Sequence, residues 1–307
     1  MDIAQLIAEI SRRASIDKEE VPLHFTNVRD SAISTKDLLT QDGEDRSSTG
    51  ADIAFITALA DPEGKDTCEA LSKDWTPIIR EGVEYNRASV RFGGILTSVV
   101  VASQSDMGMV PAAILTYKTI DIWRPKLVVM TGVCAGLKGK GIELGDVLVA
   151  KDVFDYGSGK IVDGKLYPDY RPIRLDSKLT NLLIAFSMRR KVFSGIRNRF
   201  RKVGQKRPPK RPRVNVTAIG SGAAIIADER LVNDIAEKKK SLYGIDMEAY
   251  GFASAAATGG SDTRFIIAKG VQDFADRHKN DAYRSFASFV SAQFMKEFLD
   301  HYWPEIM

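Results

Sequence analysis

From Ala51 onward, short aliphatic and β-branched runs alternate with segments of helical spacing, and this alternation constrains the fold most. "ADIAFITALA" is a short apolar run, and "ASVRFGGILTSVVVAS" reads as two strands around Gly93-Gly94. "PKLVVMTGVCAGL", "GDVLVAKDVFDYG", "VNVTAIGSGAAII" and "RFIIAKGVQDFAD" read as buried strands. "VPAAILTYKTIDIW", "DERLVNDIAEKKK" and "DAYRSFASFVSAQFMKEFLDHYW" carry helical periodicity. Strands alternating with helices predict an α/β fold: one domain with a central mixed, largely parallel sheet flanked by helices. In such sheets ligands bind at the carboxyl ends of the strands.

Those ends carry the chain's most unusual residues. In "GIDMEAYGFASAA" Asp246 and Glu248 flank Met247 just before a run of small apolar residues. In an extended segment residues i and i+2 share a face, so the two acids point the same way. The alternative is a helix N-terminus, which favours negative charge. Asp273, Ser105 and the turn Gly132–Gly136 also fall where strands end, so the sequence predicts one pocket at which they converge.

Residues 1–50 have a different character. Ile3, Leu6, Ile7 and Ile10 have helical spacing, and "LLTQDGEDRSSTG" has the composition of a linker. The reading is a short helical appendage and a join, with 51–307 as the catalytic domain, and residues 1–50 are a candidate site for a regulatory partner. The hydrophobic content of 44% and charged content of 27% are those of a soluble globular protein. No apolar run approaches membrane-spanning length and the N-terminus does not read as a secretory signal, so a cytoplasmic protein is expected. Cys68 and Cys134 form no disulfide framework, and His24, His278 and His301 are too few for a histidine metal site. No metal or cofactor is expected. Between Arg189 and Arg213 lie twelve Lys/Arg and no acid; subtracting them from the net charge of +4 leaves −8 on the rest. This basic insertion, 189–213, reads as a solvated loop or as a contact for a phosphorylated ligand.

Four segments, in order, resemble motifs of the purine nucleoside phosphorylase/nucleosidase superfamily, which includes the methylthioadenosine/adenosylhomocysteine nucleosidases. "ASQSDMGMVPAA" resembles its Ser-x-x-Gly loop, beginning at Ser105. "VVMTGVCAGLKGKGIELGDVLVA" resembles its glycine turn, with Gly132, Ala135 and Gly136 at the substrate. "IDMEAYGFASAA" resembles its ribose-binding segment, and "IIAKGVQDFAD" its strand ending in a purine-contacting Asp. The resemblance implies that Glu248 accepts hydrogen bonds from the ribose diol, for which two carboxylate oxygens are suited. Met247 then packs under the sugar and Asp246 supports the loop. Asp273 implies a general acid that protonates the leaving base. Gln272 stands before it, where many nucleosidases have Ser or Cys, and this departure bears on what supports the Asp. Ala223, Ala224 and Ile225 resemble a base-binding loop.

The resemblance also bears on the nucleophile. Phosphorylases of this superfamily hold phosphate with arginines, yet Met130 stands at one such position and the first loop reads "ALADPEGKD", without a Gly-Asp-Pro motif. Water is therefore expected, activated by Glu63, with Glu69 as runner-up. Lys138 and Lys140 suit a charged 5′-group. The C-terminal segment resembles nucleosidase domains of immune receptors, which implies an adenine-nucleotide N-glycosidase, ATP among its substrates, acting as a defence effector. Two alternatives stand beside it: a housekeeping methylthioadenosine/adenosylhomocysteine nucleosidase, and a non-catalytic nucleotide-sensing or nucleic-acid-binding module. For the last, only Phe193 and Phe200 within the basic insertion are available to stack bases. A homo-oligomer is expected, with the apolar C-terminal helix as the surface to bury.

Overall fold

The computed structural model describes residues 50–307, except 164, 203, 225, 227, 260, 261 and 278–280. The expected N-terminal helix and linker, and Ile225, lie outside the described residues. The strands are β1 (Ile53–Thr57), β2 (Thr76–Arg80), β3 (Val83–Phe92), β4 (Ile95–Ser103), β5 (Leu127–Gly136), β6 (Val147–Asp155), β7 (Gly159–Val162), β8 (Lys165–Pro168), β9 (Ile173–Arg174), β10 (Val214–Ser221), β11 (Leu242–Asp246) and β12 (Arg264–Asp273). The helices are α1 (Lys65–Leu71), entered through a π-helical turn at Ala60–Gly64, then α2 (Met109–Trp123), α3 (Ser177–Ser187), α4 (Arg190–Arg199), α5 (Glu229–Lys238), α6 (Ala249–Thr258) and α7 (Arg284–Ile306).

Ten strands form one mixed sheet in the order β11-β10-β6-β12-β5-β1-β4-β3-β2, with β9 on β6, while β7 and β8 pair separately. Parallel pairs run through its centre, β4–β1–β5–β12 and β6–β10–β11. The β2–β3–β4 edge is antiparallel. Phe92 faces Ile95 across Gly93 and Gly94, whose φ values of 54° and 87° match the two-residue turn that suits strand twist. β11 also pairs antiparallel with β5, Gly244 opposite Gly136 and Ile245 opposite Ala135. Strands β5, β11, β10, β6 and β12 therefore close into a ring.

Glycines permit two close approaches that position this ring. A Cβ on Gly244 would lie 2.3 Å from a Leu148 methyl, and one on Gly270 would lie 2.1 Å from the Ala287 carbonyl of α7. Asp176 and Asp228 cap α3 and α5 by accepting from Leu179 N and Arg230 N.

Helix α7 does not offer the free apolar surface expected of it. Phe286, Val290, Phe294, Phe298 and Trp303 are all buried within the chain, because i, i+4 spacing turns them together onto the sheet. The exposed apolar row lies instead on α2, where Val110, Ile114 and Tyr117 are each more than half exposed. The basic insertion has two parts: residues 204–207 and 209–211 are exposed and irregular, as a solvated loop would be, while its first half is anchored. Phe193, Ile196 and Phe200 enter the core, and Phe200 packs edge-on against Phe286 with ring centroids 5.1 Å apart. Four of its twelve cations pair with acids elsewhere: Arg199 with Glu297 at 2.6 Å, Lys210 with Glu143 at 2.6 Å, Arg213 with Asp146 at 3.2 Å, and Lys202 with the buried Asp66. Phe193 and Phe200 are thus withdrawn from any base-stacking role. No helix among the described residues is long and apolar enough to cross a membrane.

Candidate active site

At the mouth of the strand ring lies a cavity of about 230 Å³. Glu63, Asp246, Met247, Glu248, Ala135 and Gln272 stand on its wall. The ends of β5, β11 and β12 and the turn before α1 bring these distant residues together.

Glu63 is held by three backbone N–H groups. Its Oε2 accepts from Ala58 N at 2.9 Å and Leu59 N at 3.1 Å, and its Oε1 accepts from Val133 N at 3.0 Å. Burial pushes its carboxyl above the usual range, opposed by Lys269 and by those N–H groups. Gly132 makes room for it: at φ +146°, a Cβ there would lie 2.7 Å from Glu63 Oε1. Gly132 itself does not face the cavity, and its N–H donates to Ser291 Oγ. Glu69, the alternative, is exposed on α1, away from the cavity wall.

Both readings of the Asp246–Glu248 pair hold a part of the answer. β11 ends at Asp246, and α6 begins after Glu248. Asp246 accepts from Ala249 N at the helix start and from Ser221 Oγ at 2.7 Å, so it pins the strand–helix junction. Glu248 makes no cap bond, and its Oε1 accepts from Gly108 N at 3.1 Å. Burial raises its carboxyl, and nearby Asp246 and Glu63 add to the rise against Lys269.

Lys269 joins the acids, and sequence reasoning passed over it. Its side chain is fully buried, with Nζ 3.3 Å from Asp246 Oδ2 and 3.6 Å from Glu248 Oε2. Burial alone would depress an ammonium, but Asp246, Glu248 and Glu63 together hold it well above its ordinary value. Nζ makes no directed hydrogen bond among the described residues, so the attraction is charge pairing. The signal was present: a lone cation inside "FIIAKGV" must find acids to be buried at all.

Asp273 is buried at the end of β12 and accepts from Ala275 N at 2.9 Å. Its Oδ2 accepts from Gln272 Nε2 at 3.1 Å, and Gln272 Oε1 accepts from Arg284 Nε at 3.2 Å. Gln272 therefore supplies the support that a Ser or Cys would otherwise give. Tyr156 adds an aromatic wall. Its hydroxyl donates to Ala224 O at 3.1 Å, and the missing side chain of Gly222 admits its ring. Burial, then Asp246 and Asp155, push its phenol up to about 12.

Other predicted residues sit elsewhere. Ser105 is exposed and lines a separate 590 Å³ depression beside α2, while its loop reaches the acid cavity through Met107 and the Gly108 N–H. Gly136 faces Val271 and Ile142, where β5 crosses β11. Lys138 pairs with Asp276 at 2.7 Å, and Lys140 donates to Lys240 O at 2.9 Å; neither lines the cavity. Among the described residues, no cluster of His, Cys, Asp or Glu is built to hold a metal ion.

The profile of the phosphorylase superfamily matches residues 52–301. The chain belongs to the phosphorylase superfamily. Among superfamily relatives it is 31% identical to the uncharacterized protein y4jS of Sinorhizobium fredii, over 78% of this chain and 59% of that one. It is 28% identical to the ATP nucleosidase Cap17 of Escherichia coli, over 76% of this chain and 48% of that one. The chain thus spans about half the length of these curated relatives. The superfamily fold is shared with 5′-methylthioadenosine/S-adenosylhomocysteine nucleosidase of Neisseria meningitidis, at a TM-score of 0.64 and 21% identity, covering 81% and 98% of the two chains.

Proposed function

We propose that this chain hydrolyses the N-glycosidic bond of adenine nucleotides, ATP included. The observation that carries the reading is the gathering of Glu63, Glu248 and Gln272 on one cavity wall, with Lys269 charge-paired to the acids and Gln272 hydrogen-bonded to Asp273, which does not itself line the cavity. Glu248 accepts from the ribose 2′- and 3′-hydroxyls. Glu63, whose raised pKa brings it closer to neutrality, takes a proton from water as that water attacks C1′. Lys269 keeps Glu248 charged and steadies the negative charge beneath the oxocarbenium-like centre. Asp273 donates its proton to N7, so the base leaves neutral, and Gln272 fixes the carboxyl that does so. The Tyr156 ring offers the purine a face to stack on.

Water rather than phosphate as nucleophile is supported by Met130, fully buried in β5, at a position where phosphorylases of the superfamily carry an arginine. Similarity to the ATP nucleosidase Cap17 supports a nucleotide substrate. A role as a defence effector that depletes adenine nucleotides follows from the same similarity, with residues 1–50 as the regulatory segment. The exposed α2 row supports a homo-oligomer.

A second reading, a methylthioadenosine/adenosylhomocysteine nucleosidase, is favoured by Leu59 and Met107, whose side chains on the cavity wall suit a thioether. Incubation of the full chain with ATP, AMP, adenosine and methylthioadenosine, with and without phosphate, separates the readings by chromatography of free adenine. Fastest release from ATP without phosphate is expected. Release only from methylthioadenosine selects the second reading, and strict phosphate dependence makes the enzyme a phosphorylase.

A further inference from the structure

We infer that Arg284 reads the anionic 5′-end of the substrate, a role that rests on the nucleotide reading above and replaces Lys138 and Lys140 in it. Among the described residues lining the cavity, Arg284 is the one cationic side chain. Three nearby cations are committed elsewhere: Lys269 lies buried beneath Asp246 and Glu248, Lys138 is on Asp276, and Lys140 is on a main-chain carbonyl. The cavity region is otherwise acidic, with Glu63, Asp246, Glu248 and Asp281 on the wall and Asp273 hydrogen-bonded to Gln272 of that wall. A phosphorylated ligand brought next to those carboxylates needs a cation at its own charged end.

Arg284 is held ready for that task. Its Nε donates to Gln272 Oε1 at 3.2 Å, which fixes the plane of the guanidinium. A terminal nitrogen lies 3.4 Å from Asp281 Oδ1. Among the described residues, these contacts use two of the five donors that a guanidinium carries. The Arg284 side chain is 32% exposed and that of Asp281 62%, so the Asp281 contact is a weak surface pair. Phosphate oxygens match the guanidinium fork better than this single carboxylate contact does, and they accept bidentately. The Asp281 carboxylate opposes an anion, so the phosphate takes its place on the arginine.

Position agrees with chemistry. Arg284 reaches Asp273 through Gln272 alone, two hydrogen bonds away. In a nucleotide with its base anti, the 5′-carbon lies on the C8–N7 side of the purine. A residue beside the acid that protonates N7 is therefore on the 5′-side of the sugar.

The test titrates ATP and adenosine calorimetrically into the full chain and into its Arg284→Gln and Arg284→Lys variants, with thermal melts to certify folding. The wild type binds ATP more tightly than adenosine. In Arg284→Gln the ratio of ATP to adenosine affinity falls tenfold or more. Arg284→Lys falls between, because it keeps the charge without the fork. Equal weakening of both ligands would overturn the assignment, since it would mean that Arg284 acts only through Gln272 and Asp273. Wild-type binding of ATP no tighter than adenosine, or of neither, would overturn it too. Adenine release is scored separately. Release from ATP and adenosine with no dependence on Arg284 keeps the glycosidase reading and removes this assignment, whereas charge-selective binding without release does the reverse.

Discussion

Replacing Gly132 by alanine tests how the Glu63 carboxylate, the proposed water activator, is held. A Cβ at this position lies 2.7 Å from Glu63 Oε1 and 2.8 Å from its carboxyl carbon. Ordinary contact begins near 3.4 Å, so the carboxylate must retreat by about 0.7 Å. That movement pulls Oε1 off the Val133 N–H, now 3.0 Å away. A hydrogen bond to a charged group is worth about 1.5–3 kcal/mol. The backbone adds strain of about 1–3 kcal/mol, because φ +146° suits only glycine. A lowered melting temperature, by roughly 5 °C or more, is expected. Turnover suffers more, since a misplacement of this order costs up to about 10²-fold. Gly145→Ala is the control: it sits at φ +82° and its Cβ meets the Phe286 ring at 2.5 Å, without touching Glu63. The assay is adenine release per folded molecule at saturating substrate, alongside thermal melts of both variants. Turnover of Gly132→Ala within threefold of wild type, on a correctly folded chain, would refute the positional argument for Glu63.

Asp273→Asn keeps the outline but cannot give a proton, and its NH2 must face either Gln272 Nε2 or Ala275 N, so base release per folded molecule should fall about 10²–10⁴-fold with some loss of melting temperature; near-normal turnover removes Asp273 from its role. Glu248→Gln should weaken a ribonucleoside more than its 2′,3′-dideoxy analogue, and equal losses on both would mean that Glu248 does not read the diol. Glu63 must be ionised to act, and burial raises its pKa, so kcat/KM should fall with acidity around a midpoint above 4.5. A profile still flat at that pH excludes Glu63 as the base. Lys269→Met leaves the buried acids without their cation, which costs about 3–5 kcal/mol, and because Lys269 holds the Glu63 carboxyl down it moves the Glu63 acid limb to higher pH; an unmoved limb would show that Lys269 does not act on Glu63. Val110→Asp on α2 should shift light-scattering mass towards the monomer, and an unchanged mass clears that face of an assembly role.

The strand that carries Asp273 was legible because "RFIIAKGVQD" is an apolar, β-branched run closed by polar residues, whereas β11, "LYGID", has one β-branched residue and showed only through the acid at its end. The edge strand β2 was not legible, since "TPIIR" is largely exposed and carries a proline within the strand. Asp246, Glu248 and Asp273 announced themselves as acids set into apolar text. Arg284 and Tyr156 did not, because each reaches the cavity from a segment whose spacing reports only helix or strand. Lys138 and Lys140 misled for a related reason: a sequence shows where a charge is, not whether an acid such as Asp276 has already claimed it. The same limit hid the fate of the basic insertion, whose counter-ions Asp66, Glu143, Asp146 and Glu297 are scattered through the chain.

The closed ring of β5, β11, β10, β6 and β12 separates two kinds of inheritance. Asp246, Lys269 and Asp273 are carried by its strands, and Glu63 is tied to it through Val133, so altering any of them disturbs the ring that holds the others. Met107 and Arg284 come from outside the ring. Exchanging either of these two leaves the strand pairing intact, and Arg284 touches those acids only through Gln272.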